Sequence, residues 1–245
     1  MQRMRAIVFD LDGTLVDTFA LSLRGTQHVL RRFVSRPVPD AEVIPLYGIP
    51  LRDIMARLAD LPTGQAGGQT RYHPEQADAM VAAFEDYYLE HQAALVRPFA
   101  GVVETLQGLH DGGYPLAILS NKRKEPGLRE MELCGLGRFF RPSTCSGHRS
   151  VLFLEDLHVP KPAPEALKQS AEALGVAPAD VLHVGDSALD VQCARLAGAR
   201  SAAALWSGLP ATAGWGRDAL LAQGPDHLLA TAEDLLALCP PLGSA

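Results

Sequence analysis

Asp10 and Asp12 stand two residues apart at the end of the short apolar run 6–9, and Gly13 and Thr14 follow them at once. Residues i and i+2 of an extended chain project to the same side, so the two carboxylates can converge on one small volume. Such a pair suits a metal-held phosphoryl site. Gly13 lets the backbone turn tightly enough to aim N–H groups at an anion, which makes Gly13 and Thr14 candidate phosphate-binding residues. Three further places repeat the design of an apolar run ending in polar side chains. The run 114–119 delivers Ser120, Asn121 and Lys122; the run 181–184 delivers Gly185 and Asp186, with Asp190 one helical turn later; Lys161 sits in VPKPAPE ahead of a helix. Each has a plain alternative. Asp12-Gly13 could be an ordinary turn, and Asp186-Ser187 a helix N-cap. Asn121 and Lys122 read equally well as a polar loop and a solvated lysine.

The elements around these residues argue for the chemical reading. After Asp17 the pattern turns helical: Phe19, Leu23, Val29, Leu30 and Phe33 form an apolar stripe, Pro50 can start a helix through Leu51, Ile54, Met55 and Leu58, and 73–95 reads as one long helix. The stretch 62–70, PTGQAGGQT, reads as a loop between them. From Arg97 strands and helices alternate: helix 102–110, strand 114–119, helices 125–134 and 164–174, strand 181–184, helix 189–197 and strand 201–205. A loop is expected over 141–150, a short strand over 151–154, a last strand over 228–231 and a last helix over 232–238. This predicts an α/β fold, a Rossmann-like parallel sheet core flanked by helices, with an inserted all-helical cap domain. The boundaries are core 1–16, cap 17–96 and core 97–245. In a parallel sheet all carboxyl ends lie on one edge, so Asp10, Asp12, Ser120 and Asp186 can meet there although far apart in sequence.

A chain of 245 residues that is 47% hydrophobic can bury a core and fold unaided. Its formal charge of −6, with no basic block, excludes a general nucleic-acid or membrane-surface binder, and any phosphate site must be local. No apolar run is long enough to span a bilayer and no signal peptide is evident, which gives a cytoplasmic expectation. Cys134, Cys145, Cys193 and Cys239 show neither zinc nor disulfide spacing and read as free thiols. None of the eight histidines falls in a ligand pattern.

With DLDGTLVD at 10–17, LSNK at 119–122, KPAPE at 161–165 and VGDSALD at 184–190 in this order, the chain resembles the haloacid dehalogenase-like hydrolases, and among them the phosphoglycolate phosphatase-like branch. Ser120 stands where that family more often has threonine and keeps the hydroxyl. The resemblance implies a phosphoric monoester hydrolase whose Mg²⁺ is held by Asp10, Asp186 and the backbone carbonyl of Asp12. Asp10 is then the nucleophile that forms an aspartyl-phosphate, and Asp12 the acid and base that serves the leaving alcohol and the water. Lys161 would place a positive charge beside Asp10, Ser120 a hydroxyl on a phosphoryl oxygen, and Asp190 would orient Lys161 or a metal-bound water. Two carboxylates so close need different environments, with Asp10 ionised and Asp12 holding a proton. In the cap segment LYGIPLRD, Tyr47, Gly48 and Arg52 are candidates for reading the leaving group, Arg52 by gripping a second anion.

The expected partner is a small phosphorylated metabolite, phosphoglycolate favoured, acted on by a monomer or homodimer. Rival readings remain within the same family. A dehalogenase is disfavoured by the presence of Asp12. A β-phosphoglucomutase-like isomerase is disfavoured by Tyr47, where that family has lysine before the cap glycine. A pyrophosphatase or nucleotidase stays open, since the motifs set the reaction and not the leaving group. A non-catalytic binding protein on this fold should have lost an essential carboxylate, and none is missing.

Overall fold

The computed structural model describes residues 4–59, 74–140, 150–207 and 217–243. The strands are β1 (Ala6–Phe9), β2 (Val16–Asp17), β3 (Arg97–Pro98), β4 (Leu116–Leu119), β5 (Val151–Leu152), β6 (Val181–Gly185), β7 (Arg200–Ala204) and β8 (His227–Leu229). The α-helices are α1 (Phe19–Phe33), α2 (Asp40–Val43), α3 (Leu51–Ala59), α4 (Pro74–Leu95), α5 (Val102–Asp111), α6 (Lys124–Leu133), α7 (Pro164–Ala173), α8 (Ala188–Ala197), α9 (Arg217–Ala222) and α10 (Asp234–Leu238). Strands β5-β4-β1-β6-β7-β8 form one six-stranded sheet, parallel at every pairing.

Both faces of this sheet are covered, so its central strands are apolar throughout rather than alternating. In β1 Ile7 and Phe9 join a core that continues through Leu106, Leu109 and Leu235 into the inserted helices. Ala6 and Val8 face the other way, against Ala166, Leu167 and Ala171 of α7 and Cys193 and Ala194 of α8. The insertion packs on itself as well, with α4 lying along α1 and α3 and Leu21, Met55, Leu58 and Met80 almost wholly buried. Its two crossings pair as an antiparallel ribbon, Val16 with Pro98 and Asp17 with Arg97. The expected cap limits therefore fall on a hydrogen-bonded ribbon.

Several expected boundaries shift for local reasons. β4 starts at Leu116 and not at Tyr114, because Pro115 has no N–H to give to a ladder. The strand expected over 151–154 stops after Leu152, where Asp156 accepts the Phe153 N–H and closes a 3₁₀ turn over Leu154–Asp156. The final strand is His227–Leu229 and the final helix Asp234–Leu238; between them the Asp234 carboxylate accepts from the N–H groups of Ala230 and Thr231. The loop expected over 62–70 lies outside the described residues, as do 141–149 and Cys145. Cys134, Cys193 and Cys239 are free thiols. Among the described residues, no helix is long and apolar enough to cross a membrane.

Candidate active site

The parallel register sets the site. Phe9 pairs with Ile118 on one side and Val184 on the other, so Asp10, Leu119 and Gly185 end level, and Ser120 and Asp186 emerge beside Asp10. The Asp10 N–H donates to the Val184 carbonyl at 2.9 Å. Gly13 then turns the chain with φ +77°, and a Cβ there would collide with the Asp186 carboxylate, so glycine is required for both conformation and space. Asp10, Asp12, Gly13, Ser120, Asn121, Lys122, Lys161 and Asp186 all line one cavity of about 150 Å³, roofed by Phe19, Ile49, Leu51, Ile54, Phe84 and Tyr88 of the inserted segment.

Asp10 and Asp12 are given separate ammonium partners. Lys161, delivered ahead of α7, places Nζ 2.9 Å from Asp10 Oδ1 and 2.6 Å from Asp190 Oδ1. Lys122, in the loop after β4, places Nζ 3.0 and 3.1 Å from the two oxygens of Asp12. Thr18 also donates to Asp12 Oδ1, at 2.6 Å. Asp12 is thus held by Lys122 and Thr18, and Asp10 by Lys161. The different environments of the two carboxylates come from two lysines.

The buried acids carry more negative charge than Lys161 can balance. Burial, partly offset by Lys161 and reinforced by Asp190 and Asp12, pushes Asp10 up to about 6. Burial and the charges of Asp10 and Asp190 push Asp186 well above the usual carboxylate range. Burial also works against the charge of Asp190, yet Lys161 and the His183 ring hold that carboxyl well below the usual range. Asp190 has its oxygens taken by Lys161, His183 and Ser187, which donates through both backbone N–H and hydroxyl.

Carboxylate oxygens of Asp10, Asp186 and Asp190 lie within 4.8 Å of one another. An oxygen-only donor set with surplus negative charge fits a hard divalent cation such as Mg²⁺. With Asp190 engaged elsewhere, Asp10 and Asp186 are the side chains left to hold it.

Other expected site residues are placed differently. Thr14 is fully buried and its hydroxyl approaches Asp186 Oδ1 at 3.4 Å, so it buttresses an acid and does not line the cavity. Asn121 lines the cavity, but its amide is occupied: Nδ2 donates to the carbonyls of Gly48 and Lys161, and Oδ1 accepts from Lys161 N–H. It fastens the Lys161 backbone and bridges to the inserted segment. Arg52 is absent from the cavity lining and pairs with exposed Asp78, Nε to Oδ1 at 2.6 Å. Tyr47 and Gly48 do line the cavity.

The sequence reading left out Tyr88 and Glu130, which the structure joins to Lys122. Nζ lies 2.9 Å from Tyr88 Oη and 2.9 Å from Glu130 Oε1, and Tyr88 Oη donates to that same carboxylate oxygen. Tyr88 looks like one more aromatic on the apolar stripe of α4. Glu130, at 0% exposure, is recognisable only as a charge on the buried side of α6. Burial, opposed by Lys122, pushes its carboxyl from the usual 4.5 up to about 7. A raised carboxyl favours the folded state fully below about 4.5, and that contribution is lost as pH rises through about 7. Glu130→Gln should therefore gain on the parent by on the order of 3 kcal/mol across that window in chemical unfolding at stepped pH. A pH-independent difference between the two would contradict the assignment.

The model of the haloacid dehalogenase-like hydrolase family matches residues 7–204. The chain belongs to this family. Relatives of the haloacid dehalogenase-like hydrolase include pyrophosphatase PpaX of Bacillus velezensis, 30% identical over 235 residues and covering 96% of each chain. PpaX of Halalkalibacterium halodurans is likewise 30% identical, over 95% of each. In fold, this hydrolase superposes on a predicted phosphoglycolate phosphatase from Haemophilus somnus 129PT with a TM-score of 0.80 at 23% identity, covering 97% of this chain and 99% of that one. A haloacid dehalogenase-like hydrolase from Bacteroides fragilis gives a TM-score of 0.74 at 21% identity, over 95% of this chain and 100% of that one.

Proposed function

We propose that this hydrolase is a Mg²⁺-dependent phosphatase that cleaves a small phosphomonoester through an aspartyl-phosphate on Asp10. The observation that carries the reading is the pair of carboxylates on one sheet edge, each with its own lysine, in a cavity roofed by residues of the inserted segment. Mg²⁺, held by Asp10, Asp186 and the Asp12 carbonyl, would offset the charge of the phosphoryl group.

The remaining chemistry belongs to the side chains. The free oxygen of Asp10 attacks phosphorus as the ester P–O bond breaks, and the departing alkoxide takes a proton from Asp12. Water then attacks the aspartyl-phosphate, gives its proton to Asp12, and releases phosphate and the Asp10 carboxylate. Lys161 keeps Asp10 aligned and charged, while Ser120, 2% exposed and lining the cavity, offers its hydroxyl to a phosphoryl oxygen. The inserted helices act as a cap that excludes bulk water and reads the leaving group.

The chamber beyond the phosphoryl position is largely apolar. Among the described residues its lining cations are Lys122, Lys161 and Arg123, and each is paired with carboxylates; Arg123 lies 2.8 Å from Glu85 and 3.2 Å from Glu155. Phosphoglycolate would bring a carboxylate into this chamber and meet no uncommitted cation there. The cavity favours an ester with an uncharged leaving group over phosphoglycolate. Pyrophosphate is the second reading, supported by the PpaX relatives.

Phosphate release across phosphoglycolate, pyrophosphate, sugar phosphates and neutral alkyl or aryl phosphates, each with Mg²⁺ and with EDTA, tests both. Metal-dependent turnover fastest on a neutral-alcohol ester is expected. Turnover undiminished by EDTA would overturn the metal role, and pyrophosphate as best substrate would select the second reading.

A further inference from the structure

Lys122 has three N–H donors and four oxygen neighbours: both oxygens of Asp12, Tyr88 Oη and Glu130 Oε1. No donor is left over for a substrate oxygen, so its service is to Asp12. Tyr88 belongs to α4 of the inserted helices, Glu130 to α6 beside the sheet, and the ammonium also lies 4.5 Å from the Tyr88 ring centroid. The Glu130 carboxylate is costly to keep. Among the described residues its buried Oε2 has no hydrogen-bond partner, and buried ionic groups of this kind are often replaceable by apolar ones without loss of stability.

We propose that Tyr88 and Glu130 are positioning residues that hold Lys122 on Asp12, so that the acid–base carboxylate is aligned only while the cap helix α4 is docked. The proposal rests on the phosphatase reading given above, with Asp12 protonating the leaving oxygen. Thr18 fixes one oxygen of Asp12 from the start of the cap, and Lys122 fixes the carboxylate from the sheet side. Tyr88 supplies the acceptor that centres the ammonium: its hydroxyl proton goes to Glu130, leaving the oxygen lone pairs for Lys122. Undocking α4 removes that acceptor. Acid catalysis would then be assembled by cap closure, and a misplaced general acid should matter most for poor leaving groups.

The test compares kcat/KM for substituted phenyl phosphates of near-equal size, graded in leaving-group acidity from p-nitrophenyl to p-methylphenyl, with Mg²⁺ present. This parameter reports phosphoryl transfer to Asp10, the step in which the leaving oxygen is protonated. In Tyr88→Phe the p-nitrophenyl to p-methylphenyl ratio should rise about 10-fold over the parent, since general acid catalysis is worth at least that much on a basic leaving group. Glu130→Gln should shift the ratio in the same direction, and Lys122→Met sets the full size of the effect.

A merely structural role would lower both esters by one factor and leave the ratio unchanged, which would overturn the proposal. So would a ratio that moves in Lys122→Met alone. The ratio does not depend on how much of a variant is folded; if Glu130→Gln cannot be obtained, Tyr88→Phe decides. Asp10→Asn separates the two levels: activity surviving in that variant defeats the aspartyl-phosphate reading, whereas Asp10-dependent activity with an unmoved ratio defeats only the role of Tyr88 and Glu130.

Discussion

Asp10→Asn should reduce phosphate release by on the order of 10⁴-fold or more while leaving the fold intact. Asparagine has the shape of aspartate and can keep the packing at the end of β1, where the backbone N–H of this residue continues the sheet ladder to Val184. It lacks the anionic oxygen that must attack phosphorus. Burial already raises the Asp10 carboxyl to about 6, so its charge is held at some expense in the metal-free protein. Removing the charge should therefore leave the thermal midpoint of the metal-free chain equal or higher, while Lys161 keeps Asp190 as a partner. An inactive but unweakened protein is the signature of a residue kept for chemistry. Single-turnover phosphate release and a melting curve measure the two halves; activity within tenfold of the parent would remove the phospho-enzyme from the mechanism.

Lys161→Met should be the more damaging change for the molecule as a whole. Methionine replaces much of the aliphatic stem but takes away the ammonium from between Asp10 and Asp190, where only 3% of the residue is exposed. Taking one member from a buried ion network leaves uncompensated charge, which costs about 3–5 kcal/mol. For a chain of this size that is a fall of about 10 °C in midpoint. Turnover should drop about 10²- to 10³-fold, because a fixed charge beside the nucleophile is lost. The pH dependence has a definite sign. Asp190, held low in the fold, contributes stability above its unfolded value that is lost as pH falls through the folded one. Without Lys161 that contribution disappears, so the deficit should be largest near neutrality and shrink as acid protonates the carboxylates. A deficit that is constant with pH would mean that Lys161 acts by packing and not by charge.

Both outcomes depend on residues that the sequence alone marks out. Paired carboxylates two residues apart after a β-branched run, the polar endings of two later runs, and the lysine in KPAPE are local patterns. A parallel sheet brings strand ends together whatever the loops between them do. The inserted helical block was legible for the same reason, since a change of period from strand to helix is written in neighbouring residues. Tertiary structure decided which side chains touch.

Lys122 meets Asp12 across 110 residues and Tyr88 across 34. Nothing in the spacing of LSNK says whether its lysine turns to solvent or into the crevice. Arg52, promising as an anion clamp, pairs instead with Asp78 on the next helix, and Thr14 turns inward to Asp186. Glu130 shows the limit most plainly: a carboxylate in a helix reads as solvated until a neighbouring element closes over it. Sequence therefore determined the sheet, the insertion and the acids at the strand ends, because these follow from chain-local periodicity. The assignment of each lysine to its carboxylate waited on the tertiary structure, because ion pairs are chosen by distance in space and by burial, and neither is a property of the local chain.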